Sequence, residues 1–520
     1  MLRWFVAACF ICAAVLVVGP RSARAQNCGT TTDVACLTAA DVTNAVQGAA
    51  TAISPDTMVI AVVDRAGSPL AVFRKAGAPA TVTGNFGVAG ANANDYAVNL
   101  ARTGAFFSND QAPLSSRTVR FISGIHFPPG VTNKPPAALY GIENTNRGCA
   151  LNPVLDAVVP RATSFTTGTP CTAASIGACG IITGKADRFD SNPATVDGGG
   201  VPIFKDGRVA GGIGVTGVSR DAAEFAAFTG SIAGGPRFGP RVAAPGTIFL
   251  EGIQLPFVNN TFRPAGVGAG VFAGAFVVGP IPSPREAGVP SGFLVGPNAD
   301  ASAGGTLTAG NVATIVSRAV AQAARTRAAI RLPLGSATRM VIAVAGLDGT
   351  ILGVFRMPDA TVFSIDVAAT KARNVIYFSS ATRNPGDMPG FPLGFSMTAR
   401  TIGFGAMPLF PAGLDGTSPG PFFGDFIRDV NNPCTQAQDP NNVANQSGIV
   451  FFPGSIGIYA GGTLVGGLGV SGDGVEQDDL VTAAGVTPDF VAPPSIRADR
   501  VLIGGVRLPF FKFPRNPEIR

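Results

Sequence analysis

The stretch VIAVVDRAGSPLAVFR at residues 59–74 returns as VIAVAGLDGTILGVFR at residues 341–356. In each copy, two β-rich runs flank a turn with Gly where a positive φ is needed, which predicts a β-hairpin. Other segments recur in the same order: LTAADV (37–42) as LTAGNV (307–312), DYAVNLARTGAFFS (95–108) as DVAATKARNVIYFS (366–379), RTVRFISGIHFPPG (117–130) as RTIGFGAMPLFPAG (400–413), DGRVAGGIGVTG (206–217) as GGTLVGGLGVSG (461–472), and GIQLPF (252–257) as GVRLPF (505–510). A repeat of this length and order predicts two copies of one module.

The segments around the hairpin predict the remaining elements of the module. A capping-box pattern at Thr38 predicts an amphipathic helix over 39–53, and Ala and Leu predict a second helix over 95–107. A second hairpin is expected around Asp206-Gly207, followed by a helix from about Ser219. Since hairpins replace crossover connections, we expect a largely antiparallel sheet with helices packed on it.

The same segments carry a resemblance to a known family. At VIAVVDRAGSPLAVFR, DYAVNLARTGAFFS and GGGVPIFKDGRVAGGIGVTGVSRDAAEFA (198–226), the chain resembles the GlcG/HbpS family of haem-binding or haem-degrading domains. The second copy is similar and ends GLGVSGDGVEQDDLV (467–481). The resemblance implies an α/β (α+β) fold with an antiparallel five-stranded sheet flanked by helices, duplicated as an intrachain pseudo-dimer. It also implies homo-oligomers and haem as the cofactor.

The repeat and the composition divide the chain into four parts. They are a signal peptide (1–25), a first module with a C-terminal arm (37–264), a Gly/Pro-rich linker (265–305) and a second module with a C-terminal arm (306–516). The chain departs from the family in its two fused modules and in a long insertion, with cysteines, in each.

The N-terminus has the features of an export signal. Arg3 precedes an apolar run over 5–18, and Ala23-Arg24-Ala25 is an A-x-A cleavage site. A lipobox ending at Cys9 is the alternative, although it leaves a very short apolar core. No later stretch has transmembrane length, so we predict a periplasmic or secreted protein without a transmembrane segment.

Charge gives no sign of nucleic-acid binding. Cleavage after residue 25 removes three of the 38 basic residues and no acidic one, which lowers the formal charge from +6 to +3. The remaining basic residues are scattered along the chain, whereas a nucleic-acid-binding surface gathers them into a stripe.

Cysteines are expected to form disulfides in an oxidising compartment. Of eight cysteines, Cys9 and Cys12 leave with the signal, and the six that remain allow 15 pairings. Short spacing in polar, turn-rich sequence favours Cys28 with Cys36 and Cys171 with Cys179. Cys149 and Cys434 then remain, and a bridge between them would join the two modules.

The only histidine, His126, is the candidate ligand for haem iron. It lies in an irregular segment beside Phe127, and Arg117 and Arg120 could pair with haem propionates. The alternative is a loop histidine hydrogen-bonded to its surroundings. In the second copy Leu409 replaces it and Met407 is nearby, where Met is more often an apolar filler than a ligand.

Scarcity of histidine also limits the possible chemistry. An H-E-x-x-H protease, a His-rich zinc site and a two-His facial triad all need more than one histidine. The motif G-x-G-x-x-G occurs at Gly212 and at Gly467, but inside a strand rather than at a strand-to-helix turn. There we expect glycine to permit close approach of backbone.

Three functions follow from these observations. The first is an exported small-ligand-binding protein, with haem or another tetrapyrrole as the ligand. The second is a structural or protein-interaction module without a cofactor, and the third is a haem-degrading enzyme, which depends on the resemblance alone.

Overall fold

A computed structural model describes residues 35–159, 161–240, 246–283 and 288–519. The predicted signal peptide and Cys28 lie outside these residues. Within them, no helix combines the length and the apolar character needed to cross a membrane.

Ten α-helices are described in this part of the chain. They are α1 (Ala39–Ala52), α2 (Ala93–Phe107), α3 (Ser116–Phe121), α4 (Pro153–Val158), α5 (Arg220–Ser231), α6 (Ala309–Arg325), α7 (Phe363–Phe378), α8 (Ala399–Gly405), α9 (Phe423–Asn431) and α10 (Val475–Val486). The capping box predicted at Thr38 is present, with Thr38 and Asp41 each accepting from the other's backbone N–H.

Sixteen strands are described, most of them in two five-stranded sheets. They are β1 (Val59–Asp64), β2 (Pro69–Arg74), β3 (Thr81–Val82), β4 (Ala91–Asn92), β5 (Gly200–Lys205), β6 (Arg208–Thr216), β7 (Phe249–Leu250), β8 (Ile253–Gln254), β9 (Ala275–Val278), β10 (Gly292–Val295), β11 (Val341–Ala345), β12 (Ile351–Arg356), β13 (Ser455–Ala460), β14 (Thr463–Ser471), β15 (Leu502–Ile503) and β16 (Val506–Arg507).

Both large sheets are antiparallel, and their orders are β5-β6-β1-β2-β9 and β10-β12-β11-β14-β13. Alternate residues of β1 face opposite sides: Val59 and Ala61 pack with α2, whereas Ile60 and Val62 pack with α1 and α5. The second sheet is covered in the same way, with α7 in the place of α2 and with α6 and α10 in the places of α1 and α5. The predicted fold class, an antiparallel five-stranded sheet flanked by helices, is confirmed.

The segment 265–305 is more than a linker. Its first half contributes β9 to the first sheet and its second half contributes β10 to the second. The two strands share the pattern Phe-x-Val-Gly-Pro, at residues 276–280 and 293–297. From the Gly and Pro content alone, the segment could be either a bare linker or a packed arm. Its short apolar runs, which pair with β2 and β12, make it a packed arm.

The glycines of the G-x-G-x-x-G motif allow a helix to lie directly on the sheet. A Cβ at Gly212 or Gly214 of β6 would collide with the carbonyl oxygen of Ala101 or Ala97 in α2. A Cβ at Gly467 or Gly469 of β14 would likewise collide with the carbonyl oxygen of Ala372 or Ala368 in α7. The structure therefore agrees with close backbone approach as the role of these glycines.

The variant Gly214→Ala should lower the free energy of unfolding by about 1–3 kcal/mol, because a backbone carbonyl cannot yield to the added methyl group. Gly310→Ala is the control. Gly310 lies in the first turn of α6, where a Cβ would make only an ordinary van der Waals contact with Thr308 Oγ1 at 3.6 Å, so alanine should raise stability by about 0.5 kcal/mol through helix propensity. Urea unfolding measures both changes, and equal effects at the two positions would contradict this account.

The modules share one hydrophobic core. Phe107 of α2 stacks on Phe363 of α7 with ring centroids 4.2 Å apart, and the Val362 amide donates to the Phe106 carbonyl at 3.1 Å.

A disulfide joins Cys149 to Cys434 and another joins Cys171 to Cys179, which are two of the three expected pairings. Cys36 is also disulfide-bonded.

Candidate functional site

His126 lies between the modules and is already hydrogen-bonded at both ring nitrogens. Nδ1 is 3.0 Å from Ser191 Oγ, and Nε2 is 2.6 Å from Asp415 Oδ1 of the second module. Asn133 also donates its amide to Asp415 at 2.9 Å and accepts the Asp415 amide at 3.0 Å. Since only 7% of His126 is exposed, iron ligation would require breaking one of these contacts. The iron-ligand role of His126 stays a prediction, and the geometry does not favour it.

The other predicted haem contacts do not converge on His126. Arg117 pairs with the buried Glu224 at 2.6 Å, and Arg120 donates to the carbonyls of Thr195 and Asn192 at 2.9 and 2.7 Å. Phe127 packs edge-on against Phe121.

The Arg117 pair has a counterpart in the second module. There Arg400 pairs with the buried Asp479 at 2.5 Å, and the repeat aligns both members with Arg117 and Glu224. An ion pair present in both copies stabilises the module by joining α3 to α5 and α8 to α10. Arg117 therefore has a structural role in the first copy.

An apolar cavity in the described part of the chain lies between the modules. This inter-module cavity has a volume of about 700 Å³, within the range of ligand sites, roughly 300–1,000 Å³. Its apolar walls come from Phe107, Leu114, Ile122, Ala138, Leu139, Leu250, Ala329, Ile330, Phe363, Phe452, Val475 and Phe513. A smaller cavity of about 420 Å³ adjoins it and shares Ala138, Leu250, Phe452 and Val475.

Cationic and anionic groups occupy the rim of the inter-module cavity. Arg327, Lys512 and Arg515 line it together with Glu251 and Glu476. Lys512 pairs with Glu476 at 2.5 Å, and Lys512, Arg515 and Glu251 are exposed. A ligand with an apolar body and carboxylates would place the body against the walls and its carboxylates at this rim.

A buried ion pair adjoins the inter-module cavity, which Asp478 lines. Lys371 Nζ is 3.2 Å from Asp478 Oδ2, donates to the Val470 carbonyl at 2.8 Å, and lies 5.0 Å from the centre of the Phe452 ring. Burial raises the pKa of Asp478 to about 7, because the loss of hydration outweighs the attraction of Lys371. Burial likewise lowers the pKa of Lys371.

Sequence reasoning missed this pair, although the repeat contains a signal for it. Lys371 aligns with Leu100 and Asp478 with Ala223, so the second copy has charges where the first has apolar residues. A buried helix position that is apolar in one copy and charged in the other indicates a specialised site.

The inter-module cavity offers no ligand for iron. In the part of the chain that the structure describes, its lining has no His, Cys, Met or Tyr. Met407 lines the adjoining cavity instead, where it is buried among aromatic residues. Among the same residues no group of His, Cys, Asp and Glu side chains could hold a metal ion.

A comparison with known families finds a match to one part of the chain. A family model described as "haem degrading protein HbpS-like" matches residues 312–487, within the second module. It matches once, so a second family domain in the first module stays a prediction from the internal repeat. No curated protein matches the chain.

Two solved structures are similar at low identity. One is a PduOC–haem complex, 20% identical over 35% of this chain and 96% of that chain, with a TM-score of 0.22. The other is the Klebsiella pneumoniae protein ORFY of family DUF336, 17% identical over 36% and 92%, with a TM-score of 0.23. The part of this chain that is similar to haem-degrading HbpS-like proteins thus includes Asp478, which lines the inter-module cavity.

Proposed function

We propose that this protein is an exported binder of a small amphipathic ligand, and that the inter-module cavity is the binding site. The observation that carries the proposal is the cavity itself, with its apolar walls from both modules and a rim that includes Arg327 and Arg515 beside acidic residues. The match to HbpS-like proteins supports a tetrapyrrole such as haem. The disulfides support export, because they persist in oxidising compartments.

A tetrapyrrole would be held here by its macrocycle and its carboxylates. The macrocycle would replace water against Phe107, Phe363 and Phe452, and Arg327 and Arg515 could receive the propionates. Coordination of iron does not fit the described lining, so the proposal includes no haem degradation. The role of this chain's residues is to bind, to orient and to exclude water.

Titration of haem and of iron-free protoporphyrin, followed by absorbance and fluorescence, tests this proposal. We expect the two to bind with dissociation constants within about threefold of each other, since the wall contributes no bond to iron. Ala138→Trp, which fills the cavity wall, should weaken both by at least about tenfold.

Two variants serve as controls for the location of the site. Ala194→Trp obstructs a different cavity that Arg117 and Arg120 line, and His126→Ala removes the candidate iron ligand. Both should leave the affinities unchanged. If His126→Ala abolishes the shift of the haem Soret band, His126 is the ligand and the inter-module site is wrong. If neither porphyrin binds, the protein is a structural or interaction module.

A further inference from the structure

Residues 512–519, called the strap from here on, lie at the mouth of the inter-module cavity. Most of the described residues that line this cavity are buried or half-buried. The exposed ones are Glu251, Arg327, Lys512, Phe513 and Arg515. Three of these five belong to the strap. Because exposed lining residues mark where a cavity meets solvent, a ligand that enters from solvent has to pass the strap.

One end of the strap is fixed to the second module. The Lys512 amide donates to Asp479 at 3.0 Å, and this buried carboxylate also pairs with Arg400. The first copy has the equivalent contact, since the Asn259 amide donates to Glu224 at 3.1 Å. The anchor at Lys512 is therefore a feature of the module itself.

The other end of the strap is held mainly by two backbone hydrogen bonds near the surface. The Arg327 amide donates to the Pro517 carbonyl at 2.6 Å, and the Ile519 amide donates to the Arg325 carbonyl at 3.0 Å. Phe513 and Ile519 are 48% and 40% exposed, so the strap buries little apolar surface. Segments with few buried apolar contacts open locally at a low cost in free energy.

We propose that the strap is the gate of the inter-module cavity, and that residues 513–519 swing about Lys512 to admit the ligand and then close over it. This inference rests on the proposed function of the cavity and adds its regulation. In the closed strap, the Arg327 guanidinium donates to the Arg515 carbonyl at 3.3 Å. A ligand carboxylate beside these two arginines would hold the strap closed, so that release of the ligand has to wait for opening.

A disulfide across the loose end of the strap provides the test. Thr326 and Glu518 form an isolated antiparallel bridge flanked by the two backbone hydrogen bonds. They are thus a non-hydrogen-bonded pair, the type whose side chains lie closest together. The double variant Thr326→Cys with Glu518→Cys can form a disulfide that fixes the strap, and neither residue lines the cavity. Glu518→Cys alone is the matched control, and thiol titration checks that the bond has formed.

Stopped-flow fluorescence with iron-free protoporphyrin measures entry and release. In the locked variant, the association and dissociation rate constants should fall together by at least about tenfold, because both steps need opening. The dissociation constant should stay within about threefold of the control, since the lock fixes the closed state. Ile519→Pro, which removes the amide that holds the loose end, should raise both rate constants by about threefold.

Hydrogen exchange measures opening of the strap without a ligand. In wild type, the amides of Arg327 and Ile519 should exchange at least about a hundredfold faster than the amide of Val470. Val470 is buried in β14, and its amide donates to the Gly454 carbonyl at 2.8 Å. The lock should slow exchange at Arg327 and Ile519 and leave Val470 unchanged.

The outcomes separate this inference from the proposed function. Equal rate constants in the locked variant and its control overturn the gate and leave the cavity proposal intact, and so does exchange at Ile519 as slow as at Val470. A fall in the association rate constant alone indicates a distorted site and also overturns the gate. If no porphyrin binds to wild type, both proposals are rejected.

Discussion

Replacing Cys149 and Cys434 together with alanine is expected to lower the free energy of unfolding by about 5 kcal/mol, because their bridge spans 285 residues. In the chain-entropy model a disulfide stabilises by restricting the unfolded chain, and the restriction grows with loop length. The Cα atoms are 5.2 Å apart, an ordinary separation for a disulfide. Guanidinium unfolding of both proteins under non-reducing conditions measures the loss.

The second bridge of the same protein provides the comparison. Cys171 and Cys179 are only 8 residues apart, so their double alanine variant should lose about 2.5 kcal/mol, roughly half as much. Equal losses for the two pairs would show that loop length does not govern the stabilisation here.

Arg147→Ala is expected to lower the free energy of unfolding by about 4 kcal/mol, because it leaves the buried Asp429 without its partner. Arg147 Nη2 lies 3.0 Å from both carboxylate oxygens of Asp429, and both side chains are almost fully buried. The pair joins the insertion of the first module to α9 of the second. Urea unfolding at pH 8 measures the change.

The pH dependence of this loss has a definite sign. Burial already raises the pKa of Asp429 to about 6 in the native state, and removal of Arg147 should raise it further. Native Asp429 then holds a proton that the unfolded chain releases, so the variant loses stability as the pH rises from about 4 through the native pKa. The loss should be smaller at pH 5 than at pH 8.

A surface pair is the control for Arg147. Arg161 lies 4.0 Å from Asp156 and is 41% exposed, so Arg161→Ala should change stability by less than about 0.5 kcal/mol. A comparable loss at the two arginines would contradict the importance of burial.

The repeat allowed much of the fold to be predicted from sequence. Its hairpins became β1–β2 and β5–β6, and the helix expected over 39–53 spans Ala39–Ala52. These elements depend on local periodicity and turn residues, which a single sequence contains. The strands β9 and β10 were missed because each is four residues long and is stabilised by a partner far away along the chain.

The candidate site was much harder to predict than the fold. His126 was a candidate because it is the only histidine. Its hydrogen-bond partner Asp415 is 289 residues away, so local sequence could not show that Nε2 is already hydrogen-bonded. The inter-module cavity has walls from both modules, so no local pattern describes it. Lys371 and Asp478, 107 residues apart, could be found only by comparing the copies position by position.

The positions of β9 and β10 relate the copies by a circular permutation. The outer strand that pairs with β2 follows the first copy along the chain, whereas the one that pairs with β12 precedes the second. A fragment starting at residue 306 would therefore lack β10 and expose the edge of β12, an open template for association with other chains. Division of the gene between residues 279 and 291 leaves each half with all five strands of its sheet.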